Sequence, residues 1–289
     1  MLNPSERGAQ RVLAATGGPA QAAAAAPEVQ ASLAAICWVG FRTIVIREYG
    51  RIMRIWGQTL VPSAVQATLY FVIFGHVVGR RISVPGGLDY PQYIAPGLIM
   101  MAIITNSYGN VVSSFFGAKF GKHVEELLVS PLPNWLIIAG YAAGGLVRGA
   151  LVAVVVGAVS LVFTHGLPVR HIAGIIAAAL LTCTAFSLAG FINAMVARNF
   201  EQMNIVPAFI LTPLTYFGGV FYSISMLPAW AHRISLFNPI LYMVSAFRYG
   251  FFGIADVDVL LSLALVAGLA VALFVTALVM MNRGVGIRD

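Results

Sequence analysis

From about residue 57 onward, long apolar runs alternate with short polar breaks. Six such runs stand out, at 57–78, 93–114, 135–163, 172–196, 205–222 and 259–281. Each reaches or approaches the roughly 20 residues that an α-helix needs to cross a bilayer, and the third is long enough to tilt. Ahead of them, 32–56 reads as a two-faced helix. At 100° per residue, Trp38, Phe41, Val45, Tyr49, Ile52 and Trp56 share one side, while Arg47, Arg51 and Arg54 group opposite. Aromatics opposite arginines describe a helix lying in the membrane interface with its cations towards headgroups. A helix packed on a protein body is the other reading, and Arg42 falls on the wrong side of the wheel. The stretch 223–258, between the fifth and sixth runs, is apolar yet broken by Pro228, Pro239 and Gly250. It reads as two short helices entering the outer leaflet and returning, an arrangement that bilayer physics permits where protein shields the backbone.

Composition agrees with that pattern. Of 289 residues 60% are apolar and 9% charged, against about 25% charged in soluble domains. A soluble globule, a disordered chain and a disulfide scaffold are excluded. The expected fold is therefore an all-α polytopic membrane protein with six transmembrane helices, an N-terminal interfacial helix and a re-entrant outer hairpin. Its parts are a cytoplasmic tail (1–31), the amphipathic helix (32–56) and the membrane domain (57–289). The net charge of +7 is spread between apolar blocks, so it reads as topology and not as nucleic-acid binding. With the N-terminus inside, 11 Lys/Arg flank the inner side and 5 the outer, including Arg80, Arg81 and Arg170. Both termini then face the cytoplasm. The tail carries Arg7 and Arg11 before a small-residue stretch, but Gly17, Gly18, Pro19 and Gln21 interrupt the apolar core that a signal peptide requires.

Catalytic chemistry finds little support. The five histidines are dispersed, no HExxH spacing occurs, and none of the six runs contains Asp or Glu. That weighs against a membrane enzyme and against a carboxylate-driven secondary transporter or channel, the alternative class. Cys37 and Cys183 are far apart, so neither a disulfide nor a metal site is expected. The string Gly117-Ala-Lys-Phe-Gly121-Lys122-His123 imitates a phosphate loop but fails: Phe116 stands where the first glycine belongs, and His123 where Ser or Thr would hold magnesium. Energy for uphill movement would have to come from a partner.

The same inner loop carries the positive clue. Within 115–132, a short helix ended by Pro131 and Pro133 would present Glu125 and Glu126 beside Leu127 and Leu128, a knob of charge and aliphatic surface suited to a groove on a cytosolic protein. A solvated connector is the alternative. The string Glu125-Glu-Leu-Leu-Val-Ser130-Pro131-Leu132 resembles the coupling region of ABC-2 type transporter permeases. Leu211, Leu214, Gly218 and Val220, then Leu227-Pro228, Asn238-Pro239-Ile240, Tyr242 and Arg248, follow that family's C-terminal signature. The blocks RIMRIWGQTLVP, PGLIMM, ITNSYGNV and SSFFGAKF are most similar to its YadH-type inner-membrane permeases. The likeness covers about 48–284; Phe217 departs from the signature, and the Ala-rich N-terminal extension has no counterpart in compact members.

The resemblance implies a bacterial inner-membrane permease acting as a homodimer with two copies of a separate cytosolic ATPase, surrounded by membrane lipids. The chain itself would bind no cofactor; ATP and Mg would be used by the partner. Coupling would fall to Lys122, Glu125, Glu126, Leu127, Leu128, Ser130 and Pro131. The hairpin signature would comprise Gly218, Pro228, Pro239, Tyr242 and Arg248, and the cargo would be a lipid-like, glycolipid or hydrophobic molecule. Candidates for the pore or the dimer seam are Asn106, Asn110, Arg148, Gly144 and Gly145. Gly140, Gly144, Gly145 and Gly149 give small-xxx-small spacings for close helix approach. Arg148, about halfway across the third run, must face protein, water or a headgroup; pairing with carbonyls and contact with an anionic substrate or dimer mate both remain open. The aromatics around the hairpin serve either as an interfacial belt or as a stacking surface for cargo.

Overall fold

A computed structural model describes residues 33–78, 87–164 and 166–286. The tail 1–31, Arg80, Arg81 and Arg288 lie outside the described residues. The chain divides into two compact units, 1–36 and 37–289. The first contributes only the opening turn of helix α1 to the description, and everything below concerns the second.

All regular structure among the described residues is helical. Helix α1 (Leu33–Arg54) is followed after Ile55 by α2 (Trp56–Tyr70), which widens into π-type turns over Phe71–Val78. Then come α3 (Tyr90–Phe120), the short α4 (His123–Val129), α5 (Asn134–Thr164) and α6 (Ile172–Val196). Helix α7 (Phe200–Val206) passes through a wide turn at Pro207–Leu211 into α8 (Thr212–Tyr216). A 3₁₀ turn (Ile224–Met226), α9 (Ala229–Ser235), α10 (Pro239–Phe252) and α11 (Val259–Asn282) complete the order.

Four of these helices, α3, α5, α6 and α11, are long and apolar enough to cross a membrane. They match the second, third, fourth and sixth apolar runs. The first and fifth runs are helical but not uniform. In the fifth, Pro207 and Pro213 lack the N–H that the helical ladder needs, so the backbone relaxes into a wide turn; the carbonyl of Pro207 accepts from the backbone N–H of Thr212 and, at 2.9 Å, from its hydroxyl. Local side chains set several boundaries. Asn199 caps α7 by accepting from Gln202 N, Asn238 caps α10 from Ile240 N, and Asp258 caps α11 from Leu261 N. Gly253, at φ 72°, ends α10 in the left-handed conformation.

Helix α3 is the central pillar. Of its most apolar window 72% is buried, against 22% for α5 and 17% for α11. The least apolar of the four is thus the most interior, as expected where lipid rather than water covers the outside. Two apolar clusters build the core: one joins α3 to α5, α6 and α10, and the other, around Phe115, Phe116, Tyr141 and Phe191, also takes in Ile44 of α1 and Val124 of α4.

Helix α1 docks on a glycine face of α5. A Cβ at Gly140 would lie 2.7 Å from Ile44 Cγ2, and one at Gly144 would lie 2.9 Å from Glu48. Only glycines permit that approach. The docked face departs from the helical wheel at Ile52 and Arg51, while Arg47 and Arg54 stay exposed. Ile44, Glu48 and Ile52 are buried, whereas Trp38, Tyr49 and Trp56 are 66%, 50% and 59% exposed. Arg51, expected among headgroup-facing cations, turns inward instead, because Glu48 beneath it offers a buried carboxylate.

Candidate functional site

Three groups of residues are candidates for function. The first is a polar cluster where α1, α3 and α5 meet. Glu48 is 1% exposed; its carboxylate accepts from Ser114 Oγ and, at 2.9 Å, from Arg51 Nη2. The same Arg51 nitrogen donates to the Asn110 side-chain and backbone oxygens at 2.8 and 3.2 Å. One turn along α3, Asn106 donates to Ser63 Oγ of α2 and accepts from Arg148 Nη2 at 3.4 Å. The carbonyl pairing considered for Arg148 is thus replaced, in its one direct hydrogen bond among the described residues, by a side-chain amide. Asn106 and Asn110 share a face of α3 that continues through Thr105, Gly109 and Ser113, and along that face Thr105 and Ser113 are exposed. The Thr105 and Ser113 hydroxyls donate to the carbonyls of Met101 and Asn110, and the amide nitrogen of Asn110 is left without a partner among the described residues. Gly144 and Gly145, named from sequence as pore or dimer-seam candidates, do not join it. Gly144 abuts Glu48 of α1, and Gly145 abuts Ser187 of α6 and Val111 of α3, because their lack of a side chain is used for packing within the chain.

The second group is the elbow between α3 and α5. Helix α3 runs on to Phe120, so 115–132 is not one helix: a turn at Gly121 and Lys122 separates α3 from α4. Lys122 is the non-glycine residue with positive φ (59°) among the described residues, a conformation costing about 1–2 kcal/mol. Val124 roots α4 in the core at 3% exposure, and Leu127 packs partly against the same cluster. Glu125, Glu126, Leu128 and Val129 point outward, Val129 being 87% exposed. Ser130 Oγ donates to the carbonyl of Leu127 at 2.6 Å and closes the helix before Pro131. Beside α4 the exposed rings of Phe120 and Phe200 stand 5.2 Å apart. Lys119 Nζ donates to the carbonyls of Met195 and Ala197, pinning the end of α6 to the elbow.

The third group lies in the 214–258 segment. Arg248, at 1% exposure, donates to Asp256 Oδ2 at 2.7 Å and to the carbonyl of Gly219 at 2.8 Å, and its guanidinium lies 4.1 Å from the centre of the Tyr93 ring. Ser223 donates to the other Asp256 oxygen. Asn238 Nδ2 ties α10 to the Leu214 carbonyl at 2.6 Å, and Gly218 lets Ile240 approach where a Cβ would lie 2.5 Å away. Tyr242 donates to the Leu236 carbonyl, Pro228 precedes the first turn of α9, and Pro239 opens α10. The aromatics here divide. Phe221, Phe247, Phe251 and Phe252 are core, while Tyr216, Phe217, Trp230 and Phe237 are exposed.

Sequence reasoning missed Glu48, Arg51 as an inward residue, Asp256 and Phe200. A carboxylate three residues before an arginine on a helix assigned to the interface was the one available signal for the first pair.

Comparison with known proteins adds the following. A family model described as ABC-2 type transporter matches residues 39–252. The chain is 48% identical over 252 residues to "Inner membrane transport permease YadH" of Escherichia coli K12, covering 87% of this chain and 98% of that protein. It is 21% identical over 228 residues to "Nodulation protein J" of Rhizobium leguminosarum bv. viciae, covering 78% and 87% of the two chains. It is 25% identical over 178 residues to "Probable multidrug ABC transporter permease YbhR" of E. coli K12, covering 60% of this chain and 47% of that one.

Proposed function

The chain belongs to the ABC-2 type transporter family, and we propose that it is the transmembrane subunit of an exporter of the inner membrane, driven by a separate cytosolic ATPase. Two copies of the chain would pair across a transport path, each carrying one ATPase. In this reading six spans cross the bilayer, the runs at 57–78 and 205–222 completing the four long helices. Both termini face the cytoplasm, and 223–258 forms the outer hairpin. The cargo is lipid-like, glycolipid or hydrophobic, a class in keeping with the multidrug name of one relative. ATP and magnesium act in the partner, and this chain makes and breaks no covalent bond.

The observation that carries the proposal is α4. It offers two carboxylates and an aliphatic edge outward while Val124 roots it in the helical core. A push on its outer face reaches α3, α5 and α6 through packed side chains. That is the requirement for a two-state change biased by a ligand bound elsewhere. The polar stripe on α3 supports the pairing, since a second copy gives it a neighbour other than lipid.

Co-purification tests the reading. The tagged chain brings down a nucleotide-hydrolysing subunit, and Glu126→Lys with Leu128→Lys releases it while leaving the permease monodisperse. Both residues face outward, so the substitutions reverse charge and apolarity without entering the core. Proton-driven transport by the purified chain alone defeats the proposal.

A further inference from the structure

The cluster joining α1, α3 and α5 has more donors than its own residues use. Two guanidinium groups reach neighbouring turns of α3, Arg51 on Asn110 and Arg148 on Asn106, and Glu48 is the carboxylate paired with Arg51. Its two oxygens are already taken by Arg51 and Ser114. Arg51 Nε, Arg148 Nε and Asn110 Nδ2 are all buried without a hydrogen-bond partner among the described residues, and Asn110 as a whole is 0% exposed. All three orphans are N–H donors. A buried donor left unmade costs about 1–3 kcal/mol, and a surplus positive charge at mid-span costs more. The charge balance is what sets the cluster apart: in the 214–258 segment one carboxylate, Asp256, meets one guanidinium, Arg248, whose Nε is likewise without a partner among the described residues, whereas here one carboxylate meets two guanidiniums. The cluster is not sealed: Arg51 retains 30% of its side-chain exposure, and Asn106 adjoins the polar stripe of α3.

We propose that this cluster is a binding site for a phosphate or carboxylate group, reached from the α3 stripe, with Arg51, Arg148 and Asn110 as its donors. Glu48 orients Arg51 and keeps the net charge of the site at a single positive unit, enough to attract one anion and little enough to release it. The inference rests on the exporter reading and narrows its cargo class to acidic amphiphiles: the anionic head occupies the cluster while the apolar part lies along the spans.

The test uses the full chain purified in a non-ionic detergent, with three probes: short-chain phosphatidic acid, short-chain phosphatidylcholine and inorganic phosphate. Phosphatidic acid is expected to bind about tenfold more tightly than phosphatidylcholine, the worth of one charge-assisted hydrogen bond. Arg148→Gln removes that preference. Arg233→Gln, an exposed arginine of α9, retains it. If Arg148→Gln does not yield folded protein, Arg148→Lys and Asn110→Ser carry the test; each is expected to reduce the preference at least threefold, by about 0.7 kcal/mol or more. Competition by inorganic phosphate with the same residue dependence puts both anions on one site and supports it, whereas inorganic phosphate binding as tightly as phosphatidic acid overturns the assignment to amphiphiles. An absent preference in the natural chain overturns the proposal, as does one that Arg233→Gln abolishes equally. Neither result touches ATPase co-purification, so failure here and failure of the exporter reading are separable.

Discussion

The Arg248–Asp256 pair gives the sharpest energetic expectation. Asp256→Ala removes the 2.7 Å partner of a guanidinium that is 2% exposed, leaving the Gly219 carbonyl and the Tyr93 ring, 4.1 Å from the cation. Stranding one member of a buried pair costs about 3–5 kcal/mol. The surviving ring contact, worth roughly 0.5–2 kcal/mol, is already present in the natural chain and does not offset the loss. We therefore expect a destabilisation of about 3 kcal/mol. A chain of this size translates that into a fall of about 6–12 °C in the unfolding midpoint, measurable by intrinsic fluorescence in detergent. Arg248→Met should cost a similar amount, because it strands Asp256. The double substitution Arg248→Met with Asp256→Leu should cost distinctly less than the two singles together, since a buried pair replaced by apolar groups is often close to neutral. The Gly219 carbonyl, then short of a donor, keeps the double variant from full recovery. Strict additivity refutes the reasoning, for it means that the two side chains do not act as a unit.

Two further expectations concern backbone and packing. Gly144→Val should displace α1, because even a Cβ there lies 2.9 Å from Glu48; the overpacking cost of about 1–3 kcal/mol is read as a lower midpoint. Gly50→Ala, an exposed position of α1 with nothing within 4 Å, serves as its contrast and should stabilise by about 0.4–1 kcal/mol. Lys122→Gly relieves the left-handed residue before α4. It should leave the midpoint unchanged or raise it slightly, and a drop of several degrees shows that the Lys122 side chain, rather than the bend, matters at the elbow.

The boundaries of α6 and α11 were legible to within a residue or so in the apolar runs. Helix α3 extends past both ends of its run, because Tyr90, Phe116 and Ala118 are buried by neighbouring helices and Pro91, Gln92 and Lys119 are half-buried. The elbow segment was legible as a knob, but its division by a left-handed lysine was not, since nothing local favours lysine in that conformation. In the fifth run the two prolines were visible, yet hydropathy counts them as neutral spacers and so hides the wide turn they enforce.

Apolar length, charge flanks and proline positions determine by themselves that this chain is helical, membrane-embedded and cut into these segments, because a bilayer tolerates few other ways of satisfying a backbone. Which side of α1 turns inward was decided only in three dimensions. Glycines on α5 admit Ile44 and Glu48, and that docking carries Arg51 to Asn110, 59 residues away in sequence. Likewise Arg248 finds Asp256 only after Gly253 has reversed the chain. Periodicity reports which residues share a face, but not what stands opposite. Charge partners are chosen by what stands opposite, so the polar cluster and its surplus of donors belong to the tertiary structure.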